Sequence, residues 1–328
     1  MKLGEFAKKT LEEYVPVIDE KLGKYFDQEI AKNFGFNDRQ KELVKNMLLH
    51  AREHNLRKSK RLRSSLVHYG YLLGGGKPNE ELEKAEMAVE LVHTALLMHD
   101  DFMDQDKRRR GKPTTQEHYG GGHYGEAMAV TIGDAVLCMG FELVENPMAM
   151  KQLLRGITNT ALGQAYDMSL GKYGSYSEGD VISLHKAKTA IYTYENPLFI
   201  GAHLAGLSKE AFELLHDYAL DGGVAFQLQD DILGVYGDEE KTGKSANSDL
   251  LQKKCTLLVL NINLDNPNLF EIKKEIKESG AYEYSKKLAQ EYATKAAKTA
   301  EKLRGLNLNS EAIDYIQGIA EYMVTREV

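Results

Sequence analysis

The most constraining feature of this chain is a helical recurrence of apolar residues that runs almost end to end, with hardly any strand-type alternation. Phe6, Leu11, Tyr14, Val15, Ile18, Leu22 and Tyr25 recur at intervals of three and four, predicting one or two amphipathic helices over 4–32. The same pattern predicts helices over 38–54, 64–73, 79–104, 126–145, 147–170 and 208–236, one over 180–206 bent near Pro197, and helices from 270 onward. The expected class is all-α. With 42% hydrophobic residues, six prolines, no linker-like stretch and no shift in composition, the expectation is one domain over 1–328.

Within this frame, Leu91–Gly111 reads LVHTALLMHDDFMDQDKRRRG, an apolar helix running into carboxylates and then arginines. Asp100 and Asp104 share a helix face, with Asp101 about 100° round from Asp100. Packed carboxylates repel unless a cation sits between them, and hard oxygen ligands suit Mg²⁺, which completes its shell with water and substrate phosphate. Arg109 and Arg110 can grip the same phosphates. Alone, such a run reads equally as a solvated helix end. A second apolar run, GGVAFQLQDDILGVYG, carries Asp230 and Asp231, and two such helix ends facing each other would put metal ligands on both walls of a cavity.

Other charged residues fall around these clusters. The run Arg57–Arg63, with Lys60, opens the helix at Ser64, where a helix N-terminus can seat an anion, or where the charges are simply solvated. His93 lies two turns before Asp100 on nearly the same face, a satisfied core residue or part of a site. Lys188 and Thr189 interrupt an apolar pattern, where a lysine either snorkels to solvent or meets a phosphate. Gly111–Gly125 reads as a mobile loop over the acidic cluster. Gly237–Asp249 reads as a flexible lid carrying Lys244, and Lys254 and Thr256 open the next helix.

A formal charge of −7 and a pI near 5.9 argue against a nucleic-acid partner. No run approaches 18 apolar residues, so no membrane span is expected. Cys138 and Cys255 have no metal-ligand spacing, and the amphipathic start lacks a secretory core, so the expected compartment is the cytoplasm.

The two acidic clusters and the lysines around them resemble the polyprenyl synthetase family, the trans isoprenyl diphosphate synthases, over roughly residues 55–260. The family's first motif, DDxxD followed after four residues by RRG, is matched by Asp100, Asp101, Asp104, Arg109, Arg110 and Gly111. Gln164 and Asp167 match its GQxxD element. The resemblance implies a bundle of ten or more helices around a central cavity (the isoprenoid synthase fold), a homodimer, and two or three Mg²⁺ ions. By position, it implies that Asp100, Asp104 and Asp230 hold Mg²⁺, with Asp101 and Asp231 in the same motifs. Lys60, Arg63, His93 and Arg110 correspond to the isopentenyl diphosphate site. Arg109, Lys188, Gln227, Lys244 and Lys254 correspond to the grip on the allylic diphosphate (dimethylallyl, geranyl or farnesyl), with Thr189 beside its reacting carbon.

Three departures stand out. The second DDxxD motif ends in Gly234, which is expected to weaken one metal site. The family's GGKRxRP loop is Lys58–Ser64 here, without its glycines and proline, and Asn247 replaces a family glycine.

The implied reaction is head-to-tail condensation: the allylic diphosphate ionises, isopentenyl diphosphate attacks the carbocation, and the departing diphosphate takes the proton. A class I terpene cyclase would not need Lys60, Arg63 and Arg110 for a second diphosphate. A non-catalytic prenyl-binding subunit would typically have lost the acidic motifs. For product length, the tail is expected to pass Leu96, Ala95 and Val92, with Met139 or Phe141 as a deeper floor. In the family an aromatic at the position of Ala95 stops growth early. The expectation is therefore geranylgeranyl diphosphate, C20, with C25 or longer and C15 as alternatives. Each five-carbon unit adds roughly 3–4 kcal/mol of burial, so a floor must act by steric clash.

Overall fold

The computed structural model describes residues 2–32, 34–173, 175–237 and 247–325. Residues 4–32 form a single helix, α1 (Leu3–Ala31), with Pro16 inside it. It is followed by α2 (Asp38–Asn55), α3 (Leu62–Leu72) and α4 (Glu80–Met103). A two-residue ribbon then pairs β1 (Arg108–Arg109) with β2 (Lys112–Pro113) antiparallel, Arg109 opposite Lys112. Next come α5 (Thr115–His118), α6 (Gly122–Glu142), α7 (Pro147–Leu170) and α8 (Glu178–Leu184). A π-helical segment, His185–Glu195, leads into α9 (Asn196–Leu204) and α10 (Lys209–Tyr236). The remaining helices are α11 (Ser248–Leu251), α12 (Leu269–Glu278), α13 (Ala281–Lys302) and α14 (Ser310–Thr325).

Local chemistry sets the ends of the helices that carry the acidic clusters. At α4, the Asn79 side chain accepts from Leu82 N, and Glu80, Glu81 and Glu83 favour the positive end of the helix dipole. At α10, Ser208 caps Ala211 N. α4 packs on α6, and α10 packs on α13 and on the π segment. The π segment lies close against α10, where a Cβ on Gly223 would sit 2.3 Å from Ala190 Cα. The polar face of that segment is thereby pressed toward the cavity described below. Among the described residues, no helix is long and apolar enough to cross a membrane.

Three local expectations change. The stretch 111–125 is a packed strap: Thr114, Thr115 and Gln116 are buried, and Gln116 Nε2 donates to the Asp101 and Asp106 carbonyls. Its centre is thus tied down through Gln116, while 111–113 and 122–124 stay exposed. The irregularity in 180–206 is the π segment, which ends just before Pro197 rather than bending at it. Lys254 and Thr256 precede a short 3-10 turn, Leu257–Val259, and not a helix.

Candidate active site

A cavity of about 1070 Å³ opens between the ends of α4 and α10. Asp100 on α4 and Asp230 and Asp231 on α10 all line it. So do Lys60, Arg63, His93, Arg109, Arg110, Lys188, Thr189, Gln227 and Lys254. Residues spread over some 200 positions of chain therefore meet in one space. Lys244 falls outside the described residues.

The α4 wall is held by its own neighbours. Asp101, turned round the helix from Asp100, is fully buried behind the wall and does not line the cavity. It pairs with Arg109, whose Nε donates to Oδ1 at 2.6 Å. Asp101 thus fixes a guanidinium instead of facing a metal, which corrects the expectation drawn from its motif. Burial works to lower the Arg109 pKa, but Asp101 and Asp100 outweigh it and hold the group firmly charged. The ribbon turn places the next arginine. Arg110 and Gly111 both have positive φ, 54° and 76°, as a two-residue hairpin turn requires.

At the far end of the cavity cations crowd together. Arg63 donates to Thr193 Oγ1 at 2.7 Å, lies 3.1 Å from His93 Nε2 and stacks over the Tyr192 ring at 4.8 Å. Burial, and then Arg63, Arg110 and Arg109, push the His93 pKa well down, so a neutral ring accepts from the guanidinium. Arg110 is pushed down to about 10 by burial and by Arg61, with Arg109 and Arg63 adding to it and Glu90 opposing. Guanidinium groups that depress one another in this way favour an anion among them.

The backbone N–H route to an anion is partly closed, because Ser64 N donates to Glu90 Oε1 at 3.2 Å. Side chains, not the α3 terminus, carry this site. Sequence reasoning missed Arg61, the keystone beneath it. Its backbone is left-handed (φ 50°), and its side chain donates to Asp19, Glu90 and the Asn55 carbonyl at 2.7–2.9 Å. Only a buried arginine inside a basic run reveals such a role, and burial is not legible in charge alone.

The α10 wall draws on the π segment. Thr189 Oγ1 donates to Gln227 Oε1 at 2.7 Å, and Gln227 Nε2 donates to Asp231 Oδ1 at 2.8 Å. Asp231 Oδ2 lies 3.2 Å from His185 Nε2 but receives no well-aligned hydrogen bond. His185 was also missed, although its spacing to Lys188 and Thr189 put it on the same face. Lys188 Nζ donates to Asp167 at 2.7 Å and lies 3.9 Å from Asp100. Lys254 Nζ donates to Asp104 Oδ2 at 2.8 Å. Burial opposes its charge, yet Asp249, Asp104 and Asp100 raise its pKa well above the usual lysine range. Asp104 itself is not on the cavity surface and reaches it through Lys254.

The donor set fits Mg²⁺. It consists of carboxylates on two facing walls beside buried polar atoms that make no hydrogen bond, Asp231 Oδ2 and both amide atoms of Gln164. Among the described residues no three ligating groups converge tightly enough to bind a metal unaided.

Below the carboxylates the lining turns apolar at Leu96, Leu97, Ala161 and Tyr192. Beneath Leu96 the packing continues through Val92, Phe141 and Ile157. Ala95 does not line this path. It is fully buried in another cluster, with Met98, Met128, Ile132 and Met139, because it lies 100° round the helix from Leu96. Ala95 and Met139 therefore leave the chain-length argument, while Leu96, Val92 and Phe141 stay in it.

The Polyprenyl synthetase family model matches residues 45–293. A short chain isoprenyl diphosphate synthase of Methanocaldococcus jannaschii is 37% identical over 208 residues, 61% of this chain and 61% of that protein. The match thus spans about three fifths of that relative's length. A geranylgeranyl diphosphate synthase of Methanosarcina mazei is 34% identical over 264 residues, 74% of this chain and 78% of that one. Among solved structures, geranylgeranyl pyrophosphate synthase from Corynebacterium glutamicum, complexed with isoprenyl diphosphate and magnesium, superposes with a TM-score of 0.84. It is 24% identical, covering 97% of this chain and 99% of that one.

Proposed function

The chain belongs to the polyprenyl synthetase family, whose members are prenyltransferases, and on that premise we propose that it extends an allylic diphosphate with isopentenyl diphosphate, making chiefly geranylgeranyl diphosphate. One observation carries this reading: two acidic helix ends and a set of lysines and arginines share one cavity whose lining also includes apolar residues. Lys60, Arg63, Arg110, Lys188 and Lys254 all line it, Lys188 paired with Asp167 and Lys254 with Asp104.

In this reading Asp100 and Asp230, joined by Asp104 once Lys254 leaves it, would hold two or three Mg²⁺ ions, which would neutralise charge developing on the departing diphosphate. Lys188 and Lys254 release Asp167 and Asp104 to grip that diphosphate. The cluster around Arg63 holds isopentenyl diphosphate, and neutral His93 orients the guanidinium. Thr189 lines the cavity and its hydroxyl proton is committed to Gln227, which leaves its oxygen as an acceptor able to stabilise a nearby carbocation. The apolar lining keeps water from that cation. No side chain is needed as base, since the departing diphosphate accepts the proton.

The C20 assignment rests on the lining at Leu96 and on the name of the Methanosarcina relative. We further propose one helical domain acting as a homodimer. Exposed Tyr124, Val130, Met148, Leu154, Leu162 and Met168 on α6 and α7 support an apolar contact between copies. The free thiols Cys138 and Cys255 accord with a reducing cytoplasm.

The test is incubation of purified protein with Mg²⁺, labelled isopentenyl diphosphate and, in turn, dimethylallyl, geranyl and farnesyl diphosphates. The expected product is C20 alcohol after dephosphorylation. Cyclised hydrocarbon, or no turnover with any starter, would overturn the reading.

A further inference from the structure

Arg57 opens the basic run at 57–63, yet it does not line the cavity that Lys60 and Arg63 line, and it is 6% exposed. Its guanidinium is spent on two partners. Nε and Nη2 donate to the Glu53 carboxylate at 2.8–3.3 Å, and Nη1 donates to the Arg109 carbonyl at 3.2 Å. The contact is returned from the ribbon turn, where Arg110 Nη1 donates to the Arg57 carbonyl at 3.3 Å. The planar fork of one arginine thus joins the end of α2 to β1, a geometry that a lysine cannot reproduce.

Glu53, in the last turn of α2, widens the joint. Its Oε1 also accepts from Lys112 Nζ at 2.6 Å, and Lys112 stands opposite Arg109 in the ribbon. Both strands are therefore tied to α2, on either side of the turn at Arg110 and Gly111. Burial works to raise the Glu53 pKa, but Arg57 and Lys112 outweigh it and bring it down to about 2, so the carboxylate stays charged in ordinary buffers. On the other side of Arg57, Lys58 and Ser59 stand at the two missing glycines of the loop, and neither has a positive φ. The loop therefore does not use the backbone freedom that glycines would give it, and side-chain contacts hold it in place.

We infer that Arg57, held by Glu53, is a positioning residue: it fixes the loop bearing Lys60 and Arg63 against the turn bearing Arg110, and so sets the spacing of the cations that meet isopentenyl diphosphate. The inference rests on the proposed reading of those three residues as the site of that substrate. The basic run divides accordingly, with Lys60 and Arg63 on the cavity and Arg57 bracing them from behind. The allylic side is spared, because the Arg109 guanidinium is held separately by Asp101.

Steady-state kinetics with each substrate varied in turn tests this, with circular dichroism to establish folding. Arg57→Met should raise KM for isopentenyl diphosphate about tenfold, while kcat and KM for the allylic diphosphate stay within about twofold. The same change in an Arg110→Ala background should raise the isopentenyl KM by less than about threefold, because the brace then has one cation fewer to place. Glu53→Gln, at a side chain 37% exposed, should give the same pattern more weakly, and it replaces Arg57→Met in both backgrounds if that variant does not fold. Equal rises in both KM values would overturn the inference, and so would the same fold-change with and without Arg110, since Arg57 would then act only on the general stability of the fold. An unchanged isopentenyl KM in Arg110→Ala alone would overturn the assignment of the site itself, a separate outcome.

Discussion

On the α4 wall, Asp101 is held by Arg109, while Gln116 grips its carbonyl, and both partners follow it closely in the chain. On the α10 wall, Asp231 leans on Gln227 one turn away and on His185 of the π segment, and the place of a fifth motif carboxylate is filled by Asp249. The first wall is encoded locally and the second is assembled across the fold. Lys254, reaching Asp104 from beyond α10, joins them by a hydrogen-bonded ion pair. A wall encoded locally keeps its geometry when distant elements shift, whereas an assembled wall depends on the turn that delivers Asp249.

If both walls serve one ion-binding site, the largest effects are on turnover. Asp100→Ala and Asp230→Ala should each lower kcat by at least about 10³-fold, on the scale of lost electrostatic stabilisation, while circular dichroism stays unchanged. Near-normal rates in either variant at saturating Mg²⁺ would break the equivalence of the walls. A second experiment separates their construction. Asp101→Asn takes the nearest carboxylate charge from the buried Arg109, leaving Asp106 and Asp100 at 3.5 and 3.6 Å, and should cost about 1.5–3 kcal/mol of stability in denaturant melts. Asp231→Asn, whose neighbours include no arginine in hydrogen-bond contact, should shift the melt far less. Equal shifts would mean that the first wall is not the more locally braced.

The diphosphate subsites give intermediate effects. Lys60→Ala and Arg63→Ala should raise KM for isopentenyl diphosphate roughly tenfold or more, and Lys188→Ala should do so for the allylic substrate, as expected for lost charged hydrogen bonds. Steady-state kinetics with each substrate varied in turn checks this, and equal effects on both KM values would merge the subsites. The smallest effects concern the floor. Leu96→Ala should shift the main product from C20 toward C25, read by chromatography of the alcohols. Ala95→Phe should overpack its cluster, lowering stability by about 1–3 kcal/mol without shortening the product. A shift to C15 in that variant would return Ala95 to the cavity wall.

What the sequence determined by itself was local and periodic. Apolar spacing predicted the helices, because one buried face per helix is a property of consecutive residues. The acidic and arginine motifs located the α4 wall, because Asp100, Asp101, Arg109 and Arg110 lie within one short stretch. The direction of each side chain was decided by the tertiary structure. Asp101 and Ala95 are one residue from cavity-lining Asp100 and Leu96, yet packing turns them into the core. The strap over 111–125 was legible as turn-rich but not as buried, since the Asp101 and Asp106 carbonyls that hold Gln116 appear only when the chain folds back. Arg61, His185 and Asp249 are single polar residues whose meaning lies in partners distant along the chain. Nothing in their immediate sequence specifies that distance, because the fold sets it when the helices pack.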